Sequence, residues 1–220
     1  MHKLREKLLP YQNVIWDWNG TLLEDLDITH QVLCTQLKEY GLPEITRAEY
    51  LERFRFPIKD YYGELGFDIG PESFDKINRD FMIYYEALAP QANLFRGTHD
   101  FLSDLSGLGK EMYILSLAQH SHLLEIVKKH QIFDFFKDVR GHDDFCGRSK
   151  VRLGQRLVAE HNIDPKTTIL IGDTDHDYEV AQALGVDVLV IADGHQSYER
   201  LERRLASHPH PVVFKTRYIS

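Results

Sequence analysis

Short apolar runs alternate with longer amphipathic segments along most of the chain. The runs occupy residues 13–17, 112–116, 136–139, 168–173 and 186–191. Runs this short, apolar at nearly every position, are typical of parallel strands that are buried on both faces. Helical spacing between them predicts helices over 100–108, 121–130, 150–161 and 178–184, and residues 212–214 fit an additional edge strand. The alternation predicts an α/β fold, a Rossmann-like parallel sheet with helices on both faces.

The pattern changes between the first and second apolar runs. Only helical spacing is found there, interrupted by glycine and proline, and it predicts helices over 26–40, 46–54, 59–65 and 71–88. Thr46 and Glu49 have the spacing of a capping box at the start of one of them. This is far more helix than a normal strand crossover contains. We therefore expect an all-helical cap domain at 25–91, inserted into a core domain formed by 1–24 and 92–220.

Composition and charge narrow the classes of function. The 220 residues are 43% hydrophobic and carry a formal net charge of −8, without a block of like charges. This balance argues against general binding to nucleic acid or to anionic membranes, and no apolar run has the roughly 20 residues of a membrane span. The chain has only two cysteines, in unrelated contexts. We expect a cytoplasmic protein, a monomer or a small homo-oligomer.

Carboxylates follow two of the predicted buried strands. Asp17 ends the first run before Asn19-Gly20, and Asp173 ends the fourth, with Asp177 four residues later. Open α/β sheets bind ligands at the carboxyl ends of their strands. Buried carboxylates require neutralisation, and a set of oxygen ligands suits Mg²⁺ better than a soft metal. The sequence therefore predicts a Mg²⁺ site there.

Four motifs, in order and in register, resemble the haloacid dehalogenase superfamily, and in particular its phosphoglycolate-phosphatase-like members with a helical cap. They are Asp17-Trp18-Asn19-Gly20-Thr21, Ile114-Leu115-Ser116, Gly147-Arg148-Ser149-Lys150 and Gly172-Asp173-Thr174 followed by Asp177. The resemblance covers nearly the whole chain. It implies a Mg²⁺-dependent phosphatase acting on a small phosphorylated metabolite.

The resemblance also implies a role for each matching residue. Asp17 would be the nucleophile that forms an aspartyl-phosphate. Asp17, Asp173 and the backbone carbonyl of Asn19 would bind Mg²⁺. Ser116 and Lys150 would hold the phosphoryl oxygens. The backbone amides of Gly20 and Thr21 would lie near the phosphate. Asp177 would orient Lys150 or a metal-bound water without binding the metal itself.

Asn19 departs from the family motif, which has a second aspartate at this position. In the family that aspartate protonates the leaving group and then activates water, and a carboxamide can do neither. Losing a positioned acid/base forfeits on the order of 10²–10⁴ in rate. Three explanations remain open: a slow phosphatase that favours good leaving groups or uses Glu24 or Asp25 as a substitute base, a related chemistry, or a phosphate-binding protein without an enzymatic role.

The related chemistry has one candidate residue. Phosphonoacetaldehyde hydrolases of the same superfamily lack the second aspartate and use a cap lysine as a Schiff base, and Lys59 lies in the predicted cap. Arg55 and Lys59 also make this part of the cap basic, so they are candidates to bind a carboxylate or second phosphate of the substrate. A solvated helix is the alternative for both. His195, after the fifth predicted strand, is a weaker candidate for the edge of the site.

Overall fold

The computed structural model describes residues 2–142, 149–207 and 212–215. Its strands are β1 (Asn13–Trp16), β2 (Leu23–Glu24), β3 (Asn93–Leu94), β4 (Glu111–Gln119), β5 (Phe136–His142), β6 (Thr168–Gly172), β7 (Asp187–Ile191) and β8 (Val212–Phe214). Six of them form one sheet in the order β5-β4-β1-β6-β7-β8. Every neighbouring pair in it is parallel. The predicted Rossmann-like sheet is confirmed.

Ten α-helices lie in the described part of the chain. They are α1 (His2–Leu8), α2 (Leu26–Glu39), α3 (Arg47–Arg53), α4 (Ile58–Leu65), α5 (Pro71–Leu88), α6 (Thr98–Gly107), α7 (His120–Lys129), α8 (Lys150–Glu160), α9 (Asp175–Leu184) and α10 (Tyr198–Leu205). The capping box of Thr46 and Glu49 is present at α3. Helix α10 was not predicted from the sequence, because Leu201 and Leu205 are the only apolar aliphatic positions of a strongly charged segment.

The sheet divides the main core into two layers. Val14 and Trp16 of β1 pack into one hydrophobic cluster, and Ile15 between them packs into the other. Alternate side chains of a strand point to opposite faces of a sheet, so both faces of β1 are buried. This explains why its sequence is apolar at successive positions.

Helices α2 to α5 build a separate hydrophobic cluster. Its fully buried members are Leu26, Leu33, Leu37, Ile45, Tyr50, Tyr61, Tyr62, Leu65, Phe67 and Ile77. The two short strands β2 and β3 pair antiparallel on either side of this helical segment in the sequence. They adjoin the predicted domain limits at 25 and 91, which remain a prediction.

The helical segment also contacts the chain that follows β7. The side chain of Gln196 donates to the carbonyl of Phe54 at 3.0 Å, and the amide of Ser197 donates to the carbonyl of Leu51 at 3.1 Å. Arg200 donates to the carbonyl of Glu52 at 2.6 Å. In all three bonds the helical segment supplies a main-chain acceptor.

Among the described residues, no helix combines the length and the apolar character that a membrane span requires.

Candidate active site

Strand register brings the predicted site residues together. Trp16 at the end of β1 pairs with Ile114 of β4 on one side and with Ile171 of β6 on the other. Asp17 follows Trp16 directly, and its amide continues the ladder to the carbonyl of Ile171 at 2.8 Å. Ser116 and Asp173 lie two residues beyond the paired positions on the flanking strands. The three side chains therefore meet at the carboxyl edge of the sheet, where α/β folds bind ligands.

Lys150, the first residue of α8, lies between two carboxylates. Its ammonium nitrogen donates to Asp17 Oδ1 and to Asp177 Oδ1 at 2.6 Å, and all three side chains are buried. Burial alone would lower the pKa of Lys150, but the charges of the two carboxylates raise it above its usual range. Lys150 is thus held as a cation against the predicted nucleophile. Gly147 and Arg148 of the same motif lie outside the described residues.

Asp177 uses its two oxygens for two different purposes. Oδ1 accepts from Lys150, whereas Oδ2 accepts from the amides of Asp173 and Thr174 and from the Thr174 hydroxyl at 3.2, 3.0 and 2.7 Å. Burial would raise the pKa of Asp177, but the charge of Lys150 and these bonds lower it below its usual range. The carboxylate therefore caps α9 and orients Lys150 at once. Because different oxygens make these contacts, capping does not prevent Asp177 from orienting Lys150.

Three carboxylates could share a cation. Asp17, Asp173 and Asp177 each offer an oxygen within 4.8 Å of the others. Thr21 donates from its hydroxyl to Asp173 Oδ1 at 3.2 Å and to Asp17 Oδ2 at 3.4 Å. Asp177 accepts four bonds from protein donors, three of them on Oδ2, so Asp17 and Asp173 remain the predicted metal ligands. Burial together with Asp177 and Asp173 raises the pKa of Asp17 to about 8, despite Lys150.

The charge balance of the site fits a divalent cation. The buried anionic side chains around it are Asp17, Asp25, Asp173 and Asp177, and the buried basic ones are Lys150 and His195. With all four carboxylates ionised and both basic groups protonated, two negative charges remain unbalanced. Buried charge without compensation is costly, and the donor atoms are all oxygens, the ligands that Mg²⁺ prefers. The residues present therefore fit the predicted Mg²⁺.

Asn19 is held by a polar network on the cap side of the site. Its amide nitrogen donates to Asp25 Oδ2 at 2.8 Å and to the Tyr85 hydroxyl at 2.6 Å. Tyr85, on α5, donates in turn to Asp25 Oδ2 at 2.7 Å. The amide group is thus a donor to an anion rather than an acid. Binding of Mg²⁺ by the backbone carbonyl of Asn19 remains a prediction.

Asp25 forms an ion pair with His195. His195 Nε2 lies 3.2 Å from Asp25 Oδ1, and its Nδ1 lies 3.0 Å from the hydroxyl of Tyr50 on α3. Burial would raise the pKa of Asp25, but the charge of His195 and the surrounding bonds lower it. Burial would lower the pKa of His195, but Asp25 and Asp173 raise it to about 9. An ionised, well-bonded Asp25 is a weak base, which disfavours it as a substitute for the missing aspartate, and Glu24 is exposed.

The remaining predicted phosphate contacts have different environments. Ser116 is buried, and its hydroxyl oxygen accepts from the amide of Ala118 at 3.0 Å, which orients it at the site. The amide of Gly20 donates to Asp25 Oδ1 at 2.9 Å, and that of Thr21 to the carbonyl of Trp18 at 3.2 Å. Because these two amides already have protein acceptors, their contact with a phosphate remains a prediction.

A cavity of about 670 Å³ extends from these residues into the helical segment. Asp17, Ser116 and Lys150 line one end, and Lys59 lines the wall contributed by α4, with its ammonium nitrogen 5.7 Å from the centre of the Phe74 ring. Arg55 does not line the cavity among the described residues. Its guanidinium pairs with Glu64 at 2.9 Å, so its charge is compensated elsewhere. Of the two predicted cap contacts, only Lys59 reaches the cavity.

The chain belongs to the family of haloacid dehalogenase-like hydrolases, whose family model matches residues 14–191. It is 22% identical over 205 residues to the probable phosphatase IndB of Dickeya dadantii (strain 3937), covering 91% of this chain and 88% of that protein. It is 20% identical to a phosphoglycolate phosphatase of Synechococcus elongatus (strain ATCC 33912 / PCC 7942 / FACHB-805), covering 86% and 88%.

A comparison with solved structures shows the same fold in other proteins. A haloacid dehalogenase-like family protein from Streptococcus pneumoniae superposes with a TM-score of 0.78 at 22% identity, covering 93% of this chain and 94% of that one. The prediction of a hydrolase of this superfamily, similar to phosphoglycolate phosphatases, is confirmed.

Two residues of the site carried little signal in the sequence. Tyr85 has the helical spacing of the other aromatic residues of α5, and nothing in that spacing distinguishes it from Phe81. Tyr50 is similar, a buried aromatic of α3 that bonds His195. Their roles depend on how the helical segment packs on the core, which local sequence pattern does not determine.

Proposed function

We propose that the protein is a Mg²⁺-dependent phosphatase that hydrolyses a phosphate monoester through an aspartyl-phosphate on Asp17. The observation that carries this proposal is the buried Lys150 ammonium bonded to both Asp17 and Asp177, with Asp173 beside them. Such an arrangement holds positive charge where a phosphoryl group gains negative charge during transfer. The phosphatase relatives support the same activity.

In the first chemical step Asp17 acts as the nucleophile. A carboxylate oxygen of Asp17 attacks phosphorus, the bond from phosphorus to the ester oxygen breaks, and the electron pair leaves with that oxygen. Lys150 and the hydroxyl of Ser116 bind the phosphoryl oxygens. A Mg²⁺ held by Asp17 and Asp173 would supply further neutralisation of the phosphate charge.

The second step regenerates the enzyme. Water attacks phosphorus, the bond between phosphorus and the Asp17 oxygen breaks, and dihydrogen phosphate leaves with both protons of the water. No carboxylic acid stands at position 19 to protonate the leaving group or to accept a proton from the water, so we expect turnover to be slow. The substrate would be a small phosphorylated metabolite in the cytoplasm.

The test is hydrolysis of a panel of phosphate monoesters by the wild type and by Asp17→Asn. We expect Mg²⁺-dependent release of phosphate that chelation abolishes and that Asp17→Asn lowers by ~10³-fold or more. Asp100→Asn is the matched control, because the Asp100 side chain is exposed on α6. Equal rates for Asp17→Asn and the wild type would refute the proposal.

Two checks make that result unambiguous. Asn-Gly pairs deamidate, and conversion of Asn19 to aspartate in a small fraction of molecules would contribute activity, so the intact mass of the 19–20 peptide is measured on the same sample. If no ester is hydrolysed while Mg²⁺ and a phosphate mimic still bind, the protein is a phosphate-binding relative. Borohydride trapping of Lys59 with phosphonoacetaldehyde would instead indicate the phosphonatase chemistry.

A further inference from the structure

The cavity beyond the phosphate end is walled by aromatic rings. Phe54 lies at the centre of one wall, with its ring centre 5.1 Å from Tyr50 and 5.6 Å from Phe56. Phe81 and Tyr85, on α5, are stacked with 6.0 Å between their ring centres. All five rings line the cavity. This wall composition favours an aromatic or bulky apolar group over a small charged one.

Helix α5 presents an apolar face that the protein covers only in part. Of its 18 residues only Ile77 is fully buried. Phe74, Phe81, Met82 and Tyr85, spaced along one face, are half-buried and line the cavity. A helix face of this kind is normally covered by another element. Here the exposed part of the face lines the same cavity as Asp17, where a group attached to the phosphate would complete its cover.

Positive charge for a second anionic group is scarce in this cavity. Arg53 and Arg55 both pair with Glu64, at 3.1 and 2.9 Å, and neither lines the cavity among the described residues. Lys59 is the one lysine or arginine of the helical segment that does so. The volume of about 670 Å³ falls in the range that encloses drug-sized ligands. A two-carbon phosphorylated acid would leave most of this space without contacts.

The amide at position 19 constrains the leaving group independently. Asn19 donates to Asp25 and cannot protonate a departing oxygen. A phenolic oxygen leaves without protonation far more readily than an alkoxide, because phenols ionise near pH ~10, as tyrosine does, and alcohols only at much higher pH. Loss of the acid therefore lowers the hydrolysis rate of an aryl ester only slightly, but that of an alkyl ester strongly.

Resting on the proposed phosphatase activity, we infer that the substrate is an aryl phosphate monoester whose ring occupies the aromatic cavity. Asp17 takes the phosphoryl group, and the bond between phosphorus and the aryl oxygen breaks. The electron pair leaves on that oxygen as a phenolate, which takes its proton from solvent. Water then releases the phosphate from Asp17 as before.

The experiment compares kcat/KM for four probes that separate the two arguments. 1-Naphthyl phosphate has an aromatic group and a phenolic leaving group, whereas 1-naphthylmethyl phosphate keeps the ring and leaves as an alkoxide. Acetyl phosphate is small with a good leaving group, and 2-phosphoglycolate is small with a poor one. We expect 1-naphthyl phosphate to exceed both alkoxide esters by ~10²-fold or more.

Variants of α5 test the ring-binding wall. Phe81→Ala should lower the ratio of kcat/KM for 1-naphthyl phosphate to that for acetyl phosphate by about tenfold or more. Phe81→Leu, which keeps an apolar side chain in the packing, should shift the ratio in the same direction by less. Ile83→Ala is the matched control, because Ile83 is exposed on the same helix and away from the cavity lining; it should leave the ratio unchanged.

Each contrary result has one meaning. Equal rates for 1-naphthyl and 1-naphthylmethyl phosphate, or preference for 2-phosphoglycolate, would overturn the aryl inference and leave the phosphatase proposal standing. An unchanged ratio in folded Phe81→Ala and Phe81→Leu would overturn the aromatic cavity as the binding site. If none of the four is hydrolysed in a manner that depends on Asp17, the proposed function itself fails.

Discussion

The amide nitrogen of Asn19 donates to the carboxylate of Asp25 across 2.8 Å. The residue that replaces the expected aspartate is therefore bonded to an aspartate six positions along the chain. A second carboxylate at position 19 would face the first at the same distance, and two such groups cannot both ionise readily. Asn19 and Asp25 thus constrain one another.

This relationship predicts that exchanging the two residues restores catalysis better than changing one. In Asn19→Asp/Asp25→Asn the amide introduced at position 25 can donate to the carboxylate introduced at position 19, and the net charge is unchanged. We expect kcat/KM for 2-phosphoglycolate to rise ~10²–10⁴-fold. Asn19→Asp alone should gain less and melt at a lower temperature. Identical gains in the single and double variants would show that Asp25 does not limit position 19.

An aryl substrate should reveal accumulation of the intermediate. The first step needs no acid when the leaving group is a phenolate, but the attack of water still lacks a base. Rapid mixing of the protein with excess 1-naphthyl phosphate and Mg²⁺ should therefore give a burst of naphthol that approaches one equivalent per chain, followed by a slower steady rate. In the exchange variant above the burst should shrink, because water attack is accelerated. A linear time course in the wild type would contradict this order of rates.

Stability without metal should fall as pH rises. Asp25 raises the pKa of His195 from 6.5 to about 9, and burial raises that of Asp17 from 3.8 to about 8. The folded state therefore holds more protons than the unfolded state from pH ~4 to 8 through Asp17 and from pH 6.5 to 9 through His195. The stabilisation that these protons give is present at low pH and is lost as pH rises, most steeply between pH 6.5 and 8, where both groups contribute. We expect the free energy of unfolding in chelator to drop by on the order of 5 kcal/mol between pH 6.5 and 9, measured by urea denaturation.

Mg²⁺ should oppose that loss. A ligand that binds only the folded state stabilises it, and carboxylates bind the ion after they lose their protons. The stabilisation by Mg²⁺ should therefore be larger at pH 9 than at pH 6.5. Stability in chelator that stays constant from pH 6.5 to 9 would be inconsistent with the raised pKa values of the two groups.

Two adjacent tyrosines should respond oppositely to loss of their hydroxyls. Both are buried, but the Tyr62 hydroxyl donates to Gln36 Oε1 at 3.2 Å, whereas that of Tyr61 has no hydrogen-bond partner among the described residues. Removing a bonded hydroxyl costs about 1 kcal/mol, and removing an unsatisfied one relieves a desolvation penalty. In thermal unfolding, the melting temperature of Tyr62→Phe should be lower than that of the wild type, and that of Tyr61→Phe should be equal or higher.

Gly20 should tolerate no side chain. Its φ is +69°, and a Cβ there would lie 2.4 Å from Asp173 Oδ2 and 2.6 Å from the ring of His195. Gly20→Ala should abolish activity and weaken Mg²⁺ binding measured by calorimetry. Gly109→Ala is the control, since its φ of +74° imposes a similar backbone cost, ~1 kcal/mol, with nothing within 4 Å of the added atom. If both variants bound Mg²⁺ normally, crowding at Gly20 would be disproved.

Local sequence pattern was sufficient to predict the sheet and the acidic end of the site. Asp17 and Asp173 follow buried strands directly, and parallel strands side by side bring such residues together. Three contacts were not predictable in this way. They are the bonds that Asp177 Oδ2 accepts at the start of α9, the bond from Asn19 to Tyr85 and the ion pair between Arg55 and Glu64. Each depends on the position of the helical segment relative to the core, which periodicity does not encode.

The bonds from Gln196, Ser197 and Arg200 to the carbonyls of residues 51, 52 and 54 have an evolutionary consequence. Because every acceptor belongs to the main chain, mutation of the cap side chains does not remove it. The rings at 54, 56 and 81 can therefore change over generations while the attachment of the cap is retained. A lineage built on this scaffold could acquire new substrates by drift at those three positions, without rebuilding its chemistry.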